Sequence, residues 1–166
     1  MALTEEQRVF LEAPRFAVAA TISADGLPHQ TVMWHALDGD EELVLSTSRG
    51  GLKHLLRDPR LSVCVEDGFR YVTVSGRVRI EEEPKAACEL YGRIGARYRR
   101  AMPRPSAGKG PPPRLDTKTA ELLSRERATL RLAIERVRSN GFGQAHSRFR
   151  QWPPIRGAQG SVVRSR

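Results

Sequence analysis

Three things are scarce in this sequence: cysteine, long apolar runs, and acid in its C-terminal part. Only two of its 166 residues are cysteine, Cys64 and Cys88, and they form no CxxC pair. This argues against a disulfide framework or a zinc ribbon and fits a reducing cytoplasm. No apolar run reaches the roughly 20 residues of a membrane helix, so no membrane association is expected. Residues Met1 to Arg15 mix acids, bases and apolar side chains, unlike the continuous apolar core of a secretory leader. No internal repeat, Walker loop or Ser-His-Asp arrangement is visible.

The length suits one domain with a real core, and 39% hydrophobic with 28% charged residues is ordinary for a soluble globular chain. The net charge of +9 is unevenly placed. Residues 1–135 hold 21 Lys and Arg against 19 Asp and Glu, whereas residues 136–166 hold seven arginines and no acid. The excess therefore belongs to the end of the chain. From Gly141 onward Gly, Gln, Ser and Arg surround Pro153-Pro154 without apolar periodicity, which predicts a disordered basic tail, 141–166, after a folded domain, 1–140. Arginines interleaved with Phe142, His146, Phe149 and Trp152 are compatible with a nucleic-acid contact. A solvated end is the plainer reading, so nucleic acid is not the expected partner.

The front half reads as strands. Arg15 to Ile22 is a short apolar run stopped by the turn Ala24-Asp25-Gly26. Pro28 to Leu37, Glu42 to Ser48, Leu61 to Glu66 and the alternating Tyr71 to Glu82 follow, with a last strand at Thr129 to Val137. Gly51 to Arg57 carries leucines at helical spacing and is closed by Asp58-Pro59. Glu83-Pro84 opens a helix to about Arg100, and a short helix is expected over Thr119–Arg125. Five prolines between Met102 and Arg114 predict a long loop or lid. The fold class is mainly β (α+β): about six antiparallel strands with two or three helices, closing into a barrel that hides its edges.

Some residues invite chemistry. Ser46-Thr47-Ser48-Arg49-Gly50-Gly51-Leu52-Lys53 runs from a strand end into a helix. Its hydroxyls, two cations and two glycines suit a phosphate, or form an ordinary polar turn. His29, His35 and His54 could ligate a metal or haem, although no carboxylate or cysteine supports them by spacing. Cys64 reads as core. Arg93, Arg97, Arg99 and Arg100 form a basic helix face.

In order, Ala20-Thr-Ile-Ser-Ala-Asp-Gly-Leu-Pro28, a strand ending at Trp34, "DGDEELVLSTSRGGLK", "LLRDPRLSVCV" and "RATLRLAIERVRSNGFG" resemble the FMN-binding split β-barrel superfamily of pyridoxamine 5'-phosphate oxidase-like proteins. Within it the set is most similar to the deazaflavin branch, which uses coenzyme F420. The resemblance implies a split β-barrel, a homodimer, and an oxidoreductase that passes a hydride from the reduced deazaflavin to an electron-poor double bond of a small molecule. FMN is the alternative cofactor. Ser46, Thr47, Ser48, Arg49 and Lys53 would hold the phosphate, and Val32, Met33 and Trp34 would line the ring. Tyr71 and Arg127 would make contacts across the dimer, and the basic helix face could meet the cofactor's acidic tail. No catalytic acid is assigned. Vitamin B6 oxidation is disfavoured, since no Arg-x-Val-Leu-Leu-Lys-type strand is present and the terminal strand lacks the substrate-phosphate motif of the true oxidases.

Overall fold

The computed structural model describes residues 3–101 and 125–142. Helix α1 (Glu5–Glu12) leads into β1 (Ala17–Ile22), β2 (Pro28–Met33), β3 (His35–Asp38) and β4 (Glu42–Ser48). A 3-10 turn (Arg49–Leu52) and α2 (Lys53–Arg57) precede β5 (Arg60–Asp67) and β6 (Arg70–Glu81). Helix α3 (Pro84–Ala101), β7 (Arg127–Ala133) and β8 (Arg136–Asn140) complete the fold. The expected proline loop and most of the Thr119–Arg125 helix lie outside the described residues, as does the tail beyond Phe142.

Among the described residues eight strands form where about six were expected, because two of the expected strands each break in two. Pro28–Leu37 breaks at Trp34. Up to Met33 the chain pairs with β1, whereas from His35 it pairs with β4. Thr129–Val137 breaks at Ile134 and Glu135, and β7 and β8 then occupy successive stretches along one edge of β6. The path is β2-β1-β5-β6-β7-β4-β3, entirely antiparallel, with β8 on β6. Long β6 therefore belongs to both halves of a split barrel. Gly76 sits at its crossover, where a Cβ would collide with the Ala133 carbonyl and come within 3.2 Å of Glu135 Cγ.

Alternation decides what faces inward. Ala17, Val63, Val65, Val72, Leu43, Leu45, Leu130 and Leu132 fill the barrel, and Leu11 and Leu55 pack on it from α1 and α2. A smaller core of Ala36 and Val44 lies under Leu90, Ile94 and Tyr98 of α3, with Trp34 against it. Cys64 is not core. It alternates with buried Val63 and Val65 on β5 and is only half-buried on the opposite face. His29 and His35 also part company, because the break at Trp34 separates them. His29 lies 5.0 Å from the His54 ring, whereas His35 is fully buried elsewhere. Among the described residues no three His, Cys, Asp or Glu side chains converge on a metal site. The basic face of α3 is partly spent on structure. Arg93 pairs with Asp38, while Arg97 turns inward onto backbone carbonyls. The Arg99 and Arg100 side chains lie outside the described residues.

Helix α1 was not anticipated, yet its start is written locally. Thr4 and Gln7 form a capping box, which satisfies exposed N–H groups of the first turn. Its C-terminal carbonyls are captured by the body of the protein. Arg97 Nη2 donates to Leu11 O and Ala13 O at 2.8 and 2.9 Å, and His35 Nε2 donates to Leu11 O at 2.9 Å. Phe142, expected in the tail, packs edge-on against Phe10 at 5.1 Å.

This capture has a pH signature. Burial, outweighing the bond to Leu11 O, pushes the His35 imidazole down to about 4, with Arg97 and Arg15 adding to the depression. The unfolded chain binds this proton near 6.5 and the folded chain only near 4, so between those values the unfolded state holds more protons. Stability from neutral His35 is thus complete above about pH 6.5 and lost as pH falls toward 4, on the order of 3 kcal/mol in all. Urea denaturation at stepped pH should show this slope, and His35→Gln should flatten it. An unchanged slope in the variant would assign the acid sensitivity to other groups.

Candidate functional site

The split between the two halves of the barrel opens a cleft of about 400 Å³. One wall is apolar and comes from the break between β2 and β3: Val32, Met33 and Trp34, with Thr31 beside them and Phe16 just ahead of β1. Tyr91 and Ile94 of α3 also line the cleft, and Trp34 packs against the cluster that Ile94 and Tyr98 form. The polar end is built by the close of β4, Ser46, Thr47 and Ser48, and by Arg127 at the start of β7. The antiparallel register sets Arg127 opposite Ser48 and brings Ser46 opposite Thr129, so residues far apart in sequence converge here.

Arg127 is the distinctive member. Its Nε donates to Ser46 Oγ at 2.8 Å and its Nη2 to Ser46 O at 2.9 Å. Its guanidinium lies over the Tyr91 ring, 5.1 Å from the centroid, a favourable cation–π placement. Three arginines of the surrounding strands and helices are neutralised: Arg131 by Asp38, Glu42 and Glu81, Arg49 by Glu82 and Arg93 by Asp38. Among the described residues no carboxylate pairs with Arg127. A half-buried cation held rigid by neutral partners leaves its charge for a ligand, and a guanidinium suits phosphate or carboxylate oxygens.

The structure thus gathers Val32, Met33, Trp34, Ser46, Thr47, Ser48 and Arg127 of the sequence-derived set into one cleft. Arg49 lies on the following turn, where Nη1 pairs with Glu82 at 2.7 Å and Nε donates to Arg125 O at 2.8 Å. Lys53 begins α2 and is exposed. Tyr71 stands half-exposed on β6, opposite Glu66 and Asn140, and does not line the cleft. Phe16, Thr31, Tyr91 and Ile94 were not singled out from sequence. For Tyr91 and Ile94 the three-residue spacing on one helix face was the available signal. Phe16 and Thr31 carried none. The Arg49–Glu82 pair is well exposed on both sides, so Arg49→Ala is expected to shift stability by less than about 1 kcal/mol, read by thermal denaturation.

The outer face of the sheet bordering the cleft is apolar at one corner. Phe16 is 50% and Val32 62% exposed, with half-buried Val18 and Ala20 beside them on β1. Among the described residues no helix is long and apolar enough to cross a membrane.

Comparison with known proteins agrees with this architecture. The family described as pyridoxamine 5'-phosphate oxidase matches residues 3–141. A curated relative, the F420H(2)-dependent biliverdin reductase of Mycobacterium tuberculosis, is 24% identical over 106 residues, covering 62% of this chain and 77% of its own. The crystal structure of a conserved hypothetical protein from Mycobacterium tuberculosis superposes with a TM-score of 0.67 at 30% identity, over 87% of this chain and 90% of that one. An F420 reductase structure superposes at 0.63 with 24% identity, over 82% and 98%.

Proposed function

This chain belongs to the pyridoxamine 5'-phosphate oxidase family, and on that footing we propose that it is an F420-dependent oxidoreductase that reduces an electron-poor double bond of a small molecule. The observation that carries the reading is Arg127, paired with no carboxylate among the described residues, at the polar end of a cleft whose lining is otherwise largely aromatic and aliphatic. Such a cleft fits a flat redox ring joined to a phosphate. Kinship with an F420H(2)-dependent reductase supports F420 over FMN.

In this reading Arg127 and the Ser46 and Ser48 hydroxyls hold the phosphate, with Arg49 and Lys53 at the rim of the same site. Val32, Met33, Trp34, Tyr91 and Ile94 would give the ring an apolar surround. Bound reduced F420 supplies a hydride. The protein contributes orientation and a low-dielectric surround. The proton that completes the reduction is assigned to solvent, which the open cleft admits. A second copy of the chain covers the Phe16–Val32 corner, since an exposed apolar patch beside a cleft is characteristic of an association face.

A fluorescence titration with F420, run beside one with FMN, tests the proposal. Saturable F420 binding that exceeds FMN binding is expected. The reverse order would make the chain an FMN protein on the same fold, and binding of neither would sink the flavin reading.

A further inference from the structure

We infer that Tyr98, which does not itself line the cleft, is the positioning residue for its aromatic wall; this rests on the function proposed above. Tyr98 is 1% exposed and is among the largest fully buried side chains. Its ring stacks on Trp34 at 5.0 Å and 17°, and Phe16 leans on it at 6.2 Å and 44°. Trp34 and Phe16 both face the ligand space. Tyr98 is therefore the plate behind both.

The hydroxyl fixes that plate. It donates to the carbonyl of Arg15, the residue before Phe16, and accepts the backbone N–H of His35, the residue after Trp34, at 3.3 Å. One oxygen thus ties together the two places where the backbone delivers an aromatic to the cleft. His35 Nδ1 lies 3.2 Å from the same oxygen, and its Nε2 is bonded to Leu11 O. Arg97, next to Tyr98 on α3, donates to His35 O at 3.4 Å as well as to Leu11 and Ala13. The segment from Leu11 to Phe16 is held to α3 and β3 as a strap. Tyr91 and Ile94 precede Tyr98 on the same helix at seven and four residues, and so share its face. The strap bond consequently holds Trp34 and Phe16 against the helix that also brings Tyr91 and Ile94 to the cleft. A phenyl ring in place of the phenol would keep the stack and lose the tie. Both backbone partners, buried at the junction, would then relax outward to find new partners.

Tyr98→Phe is best made in a Trp152→Phe background, where Trp34 is the sole tryptophan. The expected result is a near-ultraviolet dichroism band of Trp34 reduced by about half and acrylamide quenching raised about two-fold, with the far-ultraviolet spectrum unchanged. The dissociation constant for F420 should rise about five-fold or more. Val74→Ala, a change in the barrel core at a residue that does not line the cleft, serves as the stability control and should leave F420 affinity intact. Equal affinity and an unmoved Trp34 spectrum in Tyr98→Phe would overturn the inference, as would an equal loss of affinity in Val74→Ala. If the parent binds neither F420 nor FMN, the functional reading fails, and the strap is judged on the Trp34 signals alone. If Tyr98→Phe does not fold, the parent decides by nitrogen-15 histidine spectroscopy. A slowly exchanging Nε2–H on His35 is expected, and a freely exchanging one refutes the strap.

Discussion

Replacing Arg127 by Met is expected to weaken F420 binding by between about 10-fold and 150-fold while the protein stays folded. The range corresponds to loss of hydrogen bonds to a charged group, about 1.5–3 kcal/mol. Methionine keeps an unbranched stem against Tyr91 and removes only the fork. Ser46 loses a partner, but it faces the open cleft, where water replaces it. Arg127→Lys should recover part of the affinity, since charge remains and the planar, pre-oriented donor pair is gone. The wild-type affinity should also fall with salt less steeply than a surface lysine contact would, because the cation is half-buried. Fluorescence titration at two ionic strengths reads all of this. Should Arg127→Met bind normally while Arg49→Ala or Lys53→Ala does not, the anion seat lies on the turn after β4 and not at the start of β7.

Gly76→Ala is expected to be the most damaging single-methyl change in the barrel. A Cβ at this position meets the Ala133 carbonyl at a distance no real side chain shows. That carbonyl belongs to β7 at the point where it gives way to β8, so it cannot simply swing aside. Ile134 N–H is bound to Glu41 O at 2.9 Å and Glu135 N–H to Ser75 O at 3.0 Å, which pins both sides of the break. Overpacking against backbone costs about 3 kcal/mol or more here, and for a domain of this size that lowers Tm by roughly 10 °C. Scanning calorimetry measures it. A drop of only a degree or two would mean that the crossover is compliant.

How much was written in the sequence varies with the range of the cause. Local causes were legible: β4 begins and ends where its Leu-Val-Leu run and flanking turns place it, and Asp58-Pro59 closes α2. The Thr4–Gln7 capping box is equally local, a signal within residues otherwise tested only for a leader's apolar core. The breaks at Trp34 and at Ile134–Glu135 were not legible. Nothing in Thr31-Val-Met-Trp-His35 signals that its two ends pair with different partners; the break exists because the barrel is split. The cleft is the same kind of object. Ser46–Ser48 stood out by composition, but Phe16, Tyr91 and Ile94 join them only through tertiary packing. Arg127 could not be told from its many fellow arginines until the fold set it beside Ser46 in the cleft. Cys64 shows the limit of an apolar run as a burial signal: one residue of register separates the filled barrel from its outer face.

The sharing of β6 by both halves of the barrel bears on the chain's synthesis. Through Ala101 a nascent chain can assemble α1 to α3 and pair β5 with β6, but the other edge of β6 has no partner. The strands that cover it, β7 and β8, are the last of the described strands to emerge, and β7 is also what joins β6 to β4. Until residue 140 clears the ribosome the protein therefore carries an open, partly apolar strand edge, the kind of surface that recruits other chains. Products that terminate in the 102–126 region should be aggregation-prone and ligand-free, since they also lack Arg127.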